Sequence, residues 1–306
     1  MMKKMLRTLL IALLLLVMLV LIPSGTIIAQ AEVVELDLNA KAGVKPYAEY
    51  YNGDWEYEDP SISVKIEKGR IYDTNYVVAH VKIANASQIR STMAQSYYQP
   101  STLMGTSMAK RVNAVLAING DFFSSRNGVG YVARQGKVYR TKCNGDYDVL
   151  IIDDKGDLHI FKNATNADIE AFEGTVVNGY TFGPGLVIDG VRQTGYVDMD
   201  NAALKSAQRM CLAQIGPLEY LCIASEGPED PGSVGMNLEQ FSELVASFEG
   251  VQNAYNLDGG SSTTMVFQKL DEKTGKRAYD KINSPNNPKR RHLNDIIYFA
   301  SAYQPD

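Results

Sequence analysis

The sequence predicts an α+β fold, a single domain with one large mixed or antiparallel β-sheet system and a few helices packed outside it. Three observations carry this. Short apolar runs with strand-like alternation recur along the chain, separated by glycine-containing turns. One stretch alone, residues 237–250, has the length, cap and stripe of a full helix. Composition agrees, with 25 Gly and 18 Tyr against 9 Phe, as in a turn-rich protein with half-exposed aromatic positions.

Taken in order, the chain opens with a positive stretch, "MMKKMLR", then the unbroken apolar run Leu9 to Ile22, then Pro23, Ser24, Gly25 and the small-residue pattern Ala29-Gln30-Ala31. This is the pattern of a secretory signal peptide over 1–31, cleaved after Ala31; left uncleaved, it would serve as a membrane anchor. The apolar run falls short of the roughly 20 residues that span a bilayer. The body is therefore expected to work secreted or otherwise outside the cytoplasm, with membrane contact only through this segment. Residues 32–58 are charged, Tyr-rich and aperiodic, and read as a linker or extension. The domain proper is expected over 59–306.

Within it, "ISVKIE" (62–67) and "YVVAHVKI" (76–83) alternate as strands. A weak helical stretch fills 101–112, and "VLAI" (115–118) is a short buried strand. Hairpins are expected over 131–140, 149–161 and 185–193, the last turning at Asp189-Gly190. "MCLAQI" and "LEYLCIA" flank Gly216-Pro217 as a further hairpin. In the helix, Asn237 is the N-cap with Gln240 three residues on; Leu238, Phe241, Leu244, Val245 and Phe248 share one stripe, and Gly250 stops it. "AYNLD" and "IIYFA" close the chain as strands.

The 306-residue chain carries a net charge of -5 and no long basic stripe, which argues against a nucleic-acid partner. Three cysteines, Cys143, Cys211 and Cys222, cannot complete a disulfide framework. Cys211 and Cys222 face each other across the Gly216-Pro217 hairpin as a cross-strand disulfide or as two small buried residues. The scattered His80, His159 and His292 give no zinc or triad spacing.

Polar, glycine-rich stretches at strand ends are where sites are usually built. "NGDFF" follows "VLAI": Asn119-Gly120 reads either as a tight turn or as part of a site, with Asp121 beside the aromatic wall Phe122-Phe123. "NLDGGSS" places Asp258 before Gly259-Gly260 and the hydroxyls of Ser261 and Ser262. Such a loop can turn a hairpin, or form an anion-binding nest with Asp258 as base, nucleophile or metal ligand. Arg209 and the run Lys289, Arg290, Arg291 offer cationic partners for phosphate.

Together, "AINGDFF", "TFGPGLVIDG", "RMCLAQIG", "SVGMNLEQF" and "AYNLDGGSSTTM", in this order over about residues 60–303, resemble the phosphodiester glycosidase family, related to the lysosomal enzyme that removes N-acetylglucosamine from mannose phosphate. The resemblance implies a secreted or lumenal hydrolase that cleaves an N-acetylglucosamine-like sugar-1-phosphodiester at the anomeric carbon, on a cell-surface or exopolysaccharide substrate. It carries over Asn119, Gly120 and Asp121; Thr181, Phe182, Gly183 and Pro184; Arg209; and Asn256, Asp258, Gly259, Gly260, Ser261 and Ser262. The late arginine falls on Arg291, with Arg290 as the alternative. Asp258 and Asp121 are expected as the catalytic pair, and the rest as substrate or phosphate contacts. The chain departs from the family pattern at "SEGPED", where many members have Asp-Gly-Arg, and at His80, where an acid is expected.

A phosphate monoester leaves with a second pKa of only about 6, so cleavage needs its charge met more than it needs a strong acid. No cofactor is required by this chemistry, and a divalent cation is left open. Two other readings compete: a non-catalytic module that binds phosphate-bearing polysaccharide, and a metal-dependent phosphodiesterase drawing on Asp121, Asp189, Glu226 and Asp258.

Overall fold

In a computed structural model, residues 32–124, 128–196, 204–287 and 290–305 are described. Three antiparallel sheets account for most of the chain. The largest has nine strands, in spatial order Val191–Arg192, Gly185–Ile188, Asn253–Leu257, Arg209–Gly216, Glu219–Ser225, Thr74–Ile83, Ile62–Ile71, Glu56–Asp59 and Tyr51–Asn52. A five-stranded sheet runs Lys276–Lys281, Met265–Asp271, Ala114–Asn119, Asp295–Ala300, Ile89–Met93. A second five-stranded sheet runs Lys137–Lys142, Gly130–Arg134, Val176–Tyr180, Val149–Asp153, Leu158–Phe161. Val33–Tyr303 form one compact unit.

The sheets turn their inner faces toward a shared core. Val64, Leu212 and Tyr255 come from the nine-stranded sheet, Leu116, Phe267 and Phe299 from one five-stranded sheet, and Leu150, Ile152 and Tyr180 from the other. Each outer face has its own helix. Leu238–Ala246 covers the large sheet through Phe241 and Val245. Gly105–Arg111 covers the Ala114–Asn119 sheet through Met108 and Ala109. Asn166–Glu170 lies on the third sheet through Ile169. The α+β expectation holds, with helices outside and sheets within.

Local chemistry explains the elements. Asn237 Oδ1 accepts from the Gln240 amide at 2.9 Å and the Asn237 amide donates to Gln240 Oε1 at 3.1 Å, a reciprocal cap at the helix start. The helix ends at Ala246, four residues short of Gly250. The 185–193 hairpin turns at Asp189 (φ 50°) and Gly190 (φ 76°), two left-handed residues whose twist matches paired strands. The expected helix over 101–112 shrinks to Gly105–Arg111. The short helix Asn166–Glu170, capped by Thr165, lies in a stretch too brief to show periodicity.

Two expectations are revised. Residues 33–58 are not a linker: Leu36 is buried, and Tyr51 and Tyr57 sit in the central core, their rings 4.7 Å apart. Charge and tyrosine content disguise the segment, because its buried rings alternate with exposed polar residues at the sheet edge. Cys211 and Cys222 are not bonded. Cys222 stands opposite Leu212, one step away from Cys211, so the two side chains point to opposite faces of the sheet, one into each core. The signal-peptide expectation lies outside the described residues; among those described, no helix is long and apolar enough to cross a membrane.

Tyr57 is fully buried and its hydroxyl donates to Asp59 Oδ2 at 2.7 Å. Tyr57→Ala should cost about 3–5 kcal/mol in a denaturant titration. A loss under about 0.5 kcal/mol would return the segment to the status of a linker.

Candidate active site

Three segments at strand ends converge. Gly120-Asp121-Phe122 follows the strand Ala114–Asn119, the 258–264 loop follows Asn253–Leu257, and residues 291–294 lead into Asp295–Ala300. Asn119 ties them together. Its Nδ2 donates to the Asp258 carbonyl at 2.8 Å, and its Oδ1 accepts from the Thr264 amide at 3.0 Å. The Asp258 amide donates to Gly120 O at 3.2 Å, and the Gly120 amide to Asp295 O at 3.2 Å. Asn119-Gly120 is therefore no hairpin turn but a junction between loops. The cavity they enclose measures about 290 Å³ and is lined by Phe122, Asp258, Ser262, Arg291, Asn294 and Asp295, with Asn119 and Gly120 at its floor.

Gly120 and Gly260 are required here for different reasons. A Cβ at Gly120 would lie 2.3 Å from Asp295 Oδ1, so the carboxylate packs directly on the backbone. Gly260 has φ +57°, the left-handed region that glycine adopts without penalty.

Behind the cavity lies a buried charge cluster. Arg134 Nη2 donates to Asp121 Oδ1 at 2.7 Å and to Asp295 Oδ2 at 2.6 Å, and its Nε donates to Asp295 Oδ2 at 3.0 Å. Nη1 donates to the carbonyls of Ala133 and Gly179, and the guanidinium stacks 4.0 Å over the Tyr180 ring. Asp121 Oδ2 accepts from the Thr181 amide at 2.9 Å. Burial pushes the Asp295 carboxyl up to about 7; Arg134 pulls against this, while Asp121 and Asp258 add to it. One guanidinium between two buried carboxylates leaves one negative charge in excess, and a proton on Asp295 relieves it.

The expected residues divide into two groups. Asp258, Asn119, Gly120, Ser262 and Arg291 line the cavity. Arg291 Nη1 donates to Ser261 Oγ at 3.3 Å and its guanidinium lies 5.6 Å from the Phe122 ring, which bring Ser261 and Phe122 into the same wall. The others stand behind it. Asp121 is fully buried with both oxygens engaged and does not line the cavity; it holds Arg134 in place. Thr181 holds Asp121 through its amide and the Tyr131 backbone through its hydroxyl. Asn256 Nδ2 donates to Gly183 O at 2.7 Å, anchoring one loop to the other. Arg209 is buried behind Gly259, with Nε on Met236 O at 3.0 Å and Nη2 on Lys205 O at 2.7 Å.

The nest expectation for 259–262 is also revised. Gly260 N donates to Gln208 O at a neighbouring strand end, while the bonds from Ser262 N to Gly259 O and from Thr263 N to Gly260 O close a 3-10 turn, so these three amides are occupied. The side-chain hydroxyls, not these amides, are left to meet an anion. Gly259 is needed because a Cβ there would lie 2.8 Å from Gln208 O. Asp121, Asp189, Glu226 and Asp258 do not converge: among the described residues no group of three acidic, His or Cys side chains is placed to hold a metal. Glu226 is buried and accepts from Asn75, Ser233 and the Ser284 amide.

Sequence reasoning missed Asp295 and Arg134. Asp295 had one signal, a lone acid opening the apolar run "IIYFA". Arg134 had none, because an arginine at the end of "GYVAR" before a Gln-Gly turn reads as an exposed hairpin residue.

A family model described as phosphodiester glycosidase matches residues 112–300, a span that contains Arg134, Asp258, Arg291 and Asp295. Among solved structures, the chain is similar to the zebrafish N-acetylglucosamine-1-phosphodiester alpha-N-acetylglucosaminidase catalytic domain auto-inhibited by pro-peptide, with 16% identity and a TM-score of 0.61 over 88% of this chain and 98% of that one. It is also similar to a hypothetical protein from Synechocystis, with 17% identity and a TM-score of 0.49 over 78% of this chain and 62% of that one. At this identity the zebrafish structure shows the fold. No curated protein matches the chain.

Removing the guanidinium should strand two buried carboxylates. Arg134→Met is expected to lose about 3–5 kcal/mol of stability at pH 8. The loss should shrink at pH 5, where protonation of Asp295 relieves the repulsion. Denaturant midpoints at the two pH values check both the size and the sign.

Proposed function

The chain belongs to the phosphodiester glycosidase family and is a hydrolase acting on sugar phosphodiesters, and on that premise we propose that the cavity between Asp258, Asp295 and Arg291 is its active site. The preferred substrate is an N-acetylglucosamine-like sugar-1-phosphodiester on a cell-surface polymer or exopolysaccharide. The signal-like segment over 1–31 supports action outside the cytoplasm.

One observation carries the assignment of roles. The cavity pairs two carboxyl groups of unlike environment, half-buried Asp258 and fully buried Asp295, with an arginine and serine hydroxyls. Burial raises the Asp295 carboxyl, which suits it to hold a proton for acid work, and leaves Asp258 as the carboxyl for the base or nucleophile role. Arg291 is placed to take phosphate oxygens with its guanidinium fork, helped by the hydroxyls of Ser261 and Ser262. Asp258 acts at the anomeric carbon, as nucleophile or as the base that takes a proton from water. The bond from that carbon to the phosphate oxygen breaks, and phosphate leaves as a monoester. Asp295, protonated near neutrality, donates a hydrogen bond toward the departing oxygen.

The binding-module reading is favoured by one feature, Glu226-Gly227 in place of Asp-Gly-Arg, with Glu226 tied up in structural hydrogen bonds away from the cavity. Tight binding of sugar phosphodiesters with no turnover across a broad panel would support it.

A single turnover in ¹⁸O-water should place the label in the released sugar. Label in phosphate would move cleavage to the P–O bond and overturn the proposal. Asp258→Asn should keep stability within about 1 kcal/mol while kcat falls by roughly 10²-fold or more; near-native turnover in a folded variant would remove Asp258 from catalysis.

The raised pKa of Asp295 gives a further expectation with a definite sign. Activity should fall as pH rises through about 7, where Asp295 loses its proton. The same group favours folding at acid pH, and that contribution is lost between the ordinary carboxyl range and about 7. Asp295→Asn, followed by rate–pH and stability–pH profiles, should abolish both slopes.

A further inference from the structure

A cluster of tyrosines stands beside the cavity and takes no part in the chemistry above. The loop 94–102 is clamped at both ends by Asn294, a cavity-lining residue: the Ala94 amide donates to Asn294 O at 2.6 Å, and Asn294 Nδ2 donates to Ser101 O at 3.0 Å. Thr102, next in the chain, lines the cavity too. The loop carries Tyr97 and Tyr98. Tyr98 is 74% exposed, the most exposed large apolar side chain among the described residues. Tyr97 stacks on buried Phe123 at 5.6 Å with an interplanar angle of 26°, and Phe123 follows the cavity residue Phe122. Tyr139, from the facing strand Lys137–Lys142, lies 5.2 Å from Tyr97 and 6.1 Å from Tyr98.

The shelf is preformed and cationic. Phe123, Met93 and Val132 form the buried base on which Tyr97 and Tyr139 rest. Arg140 is held by a hydrogen bond from Nη2 to Phe123 O at 2.9 Å and lies 6.0 Å from the Tyr97 ring; Lys137 Nζ sits 5.1 Å over Tyr139. Residues 94–102 and 137–142 contain three cations and no Asp or Glu. A sugar ring has an apolar C–H face that suits the negative π-face of tyrosine, and hydroxyls that suit its O–H. Arginine and lysine suit phosphate.

We infer that Tyr97, Tyr98 and Tyr139 form a carbohydrate subsite that holds a second sugar of an anionic, phosphate-bridged glycan while the first occupies the cavity. This rests on the reading of the cavity as the cleavage site. The substrate is then a polymer or oligomer of sugar phosphates, recognised by stacking on the shelf and by charge from Lys137 and Arg140.

The test compares two probes on the full chain and on Tyr98→Ala, whose exposed position spares the fold. One is a hexamer of N-acetylglucosamine 1-phosphate repeats. The other is UDP-N-acetylglucosamine, which carries one N-acetylglucosamine and no second pyranose. Tyr98→Ala should raise KM for the hexamer roughly 5- to 10-fold at constant kcat, the size of one lost aromatic contact. The constants for UDP-N-acetylglucosamine should stay within about twofold by the same reasoning. An unmoved hexamer KM, or equal losses on both probes, would overturn the inference. Calorimetric titration of the hexamer separates the two proposals. Binding that weakens in Tyr98→Ala without any turnover leaves the shelf standing and removes the hydrolytic reading of this cavity. Turnover of UDP-N-acetylglucosamine with hexamer binding unchanged in Tyr98→Ala does the reverse. Neither binding nor turnover removes both.

Discussion

One buried guanidinium organises this protein. Arg134 reaches from the end of one five-stranded sheet to carboxylates at two strand ends of the other, Asp121 after Ala114–Asn119 and Asp295 at the head of the final core strand. A buried ion pair is seldom a net source of stability, because desolvation offsets attraction. Its effect here is geometric: the bonds fix Asp121 and Asp295 against the end of the strand Gly130–Arg134, behind the cavity wall. Asp121 is spent on this, with one oxygen on Arg134 and the other on the Thr181 amide. The cost of an unbalanced charge is met at Asp295, the one carboxyl of the pair that opens onto the cavity.

The same arrangement explains why the loop residues are so constrained. Gly120 has no side chain because the Asp295 carboxylate occupies that space. Asn119 spends both ends of its amide on the 258–264 loop, so that Asp258 is held by backbone contacts and its carboxyl stays at the cavity wall. Behind this, Asn256 joins its strand to the Gly183 carbonyl. Several residues that look like substrate contacts in a motif form instead the frame behind the cavity.

How much was legible in the sequence follows from the range of the interactions. Alternation, the Asp189-Gly190 turn and the Asn237 cap are local, and each was read correctly from a few neighbouring residues. The "NLDGGSS" and "NGDFF" stretches were recognisable because glycine and polar residues cluster there against apolar runs. Their division of labour was not, since Asp121 and Asp258 differ only in what lies across from them. Arg134 is 161 residues from Asp295, and no local pattern marks a pairing at that distance. The 33–58 segment failed for the opposite reason: Tyr51 and Tyr57 bury their rings among charged neighbours, so composition concealed a core contribution that only the fold shows.

The nine-stranded sheet ends on both sides in strands of two residues, Tyr51–Asn52 and Val191–Arg192. An edge strand exposes unpaired amides and carbonyls that can recruit another chain, and a short one offers too few of them to template pairing. By tapering at each margin, this sheet leaves its outermost strand only two residues with which another strand could pair.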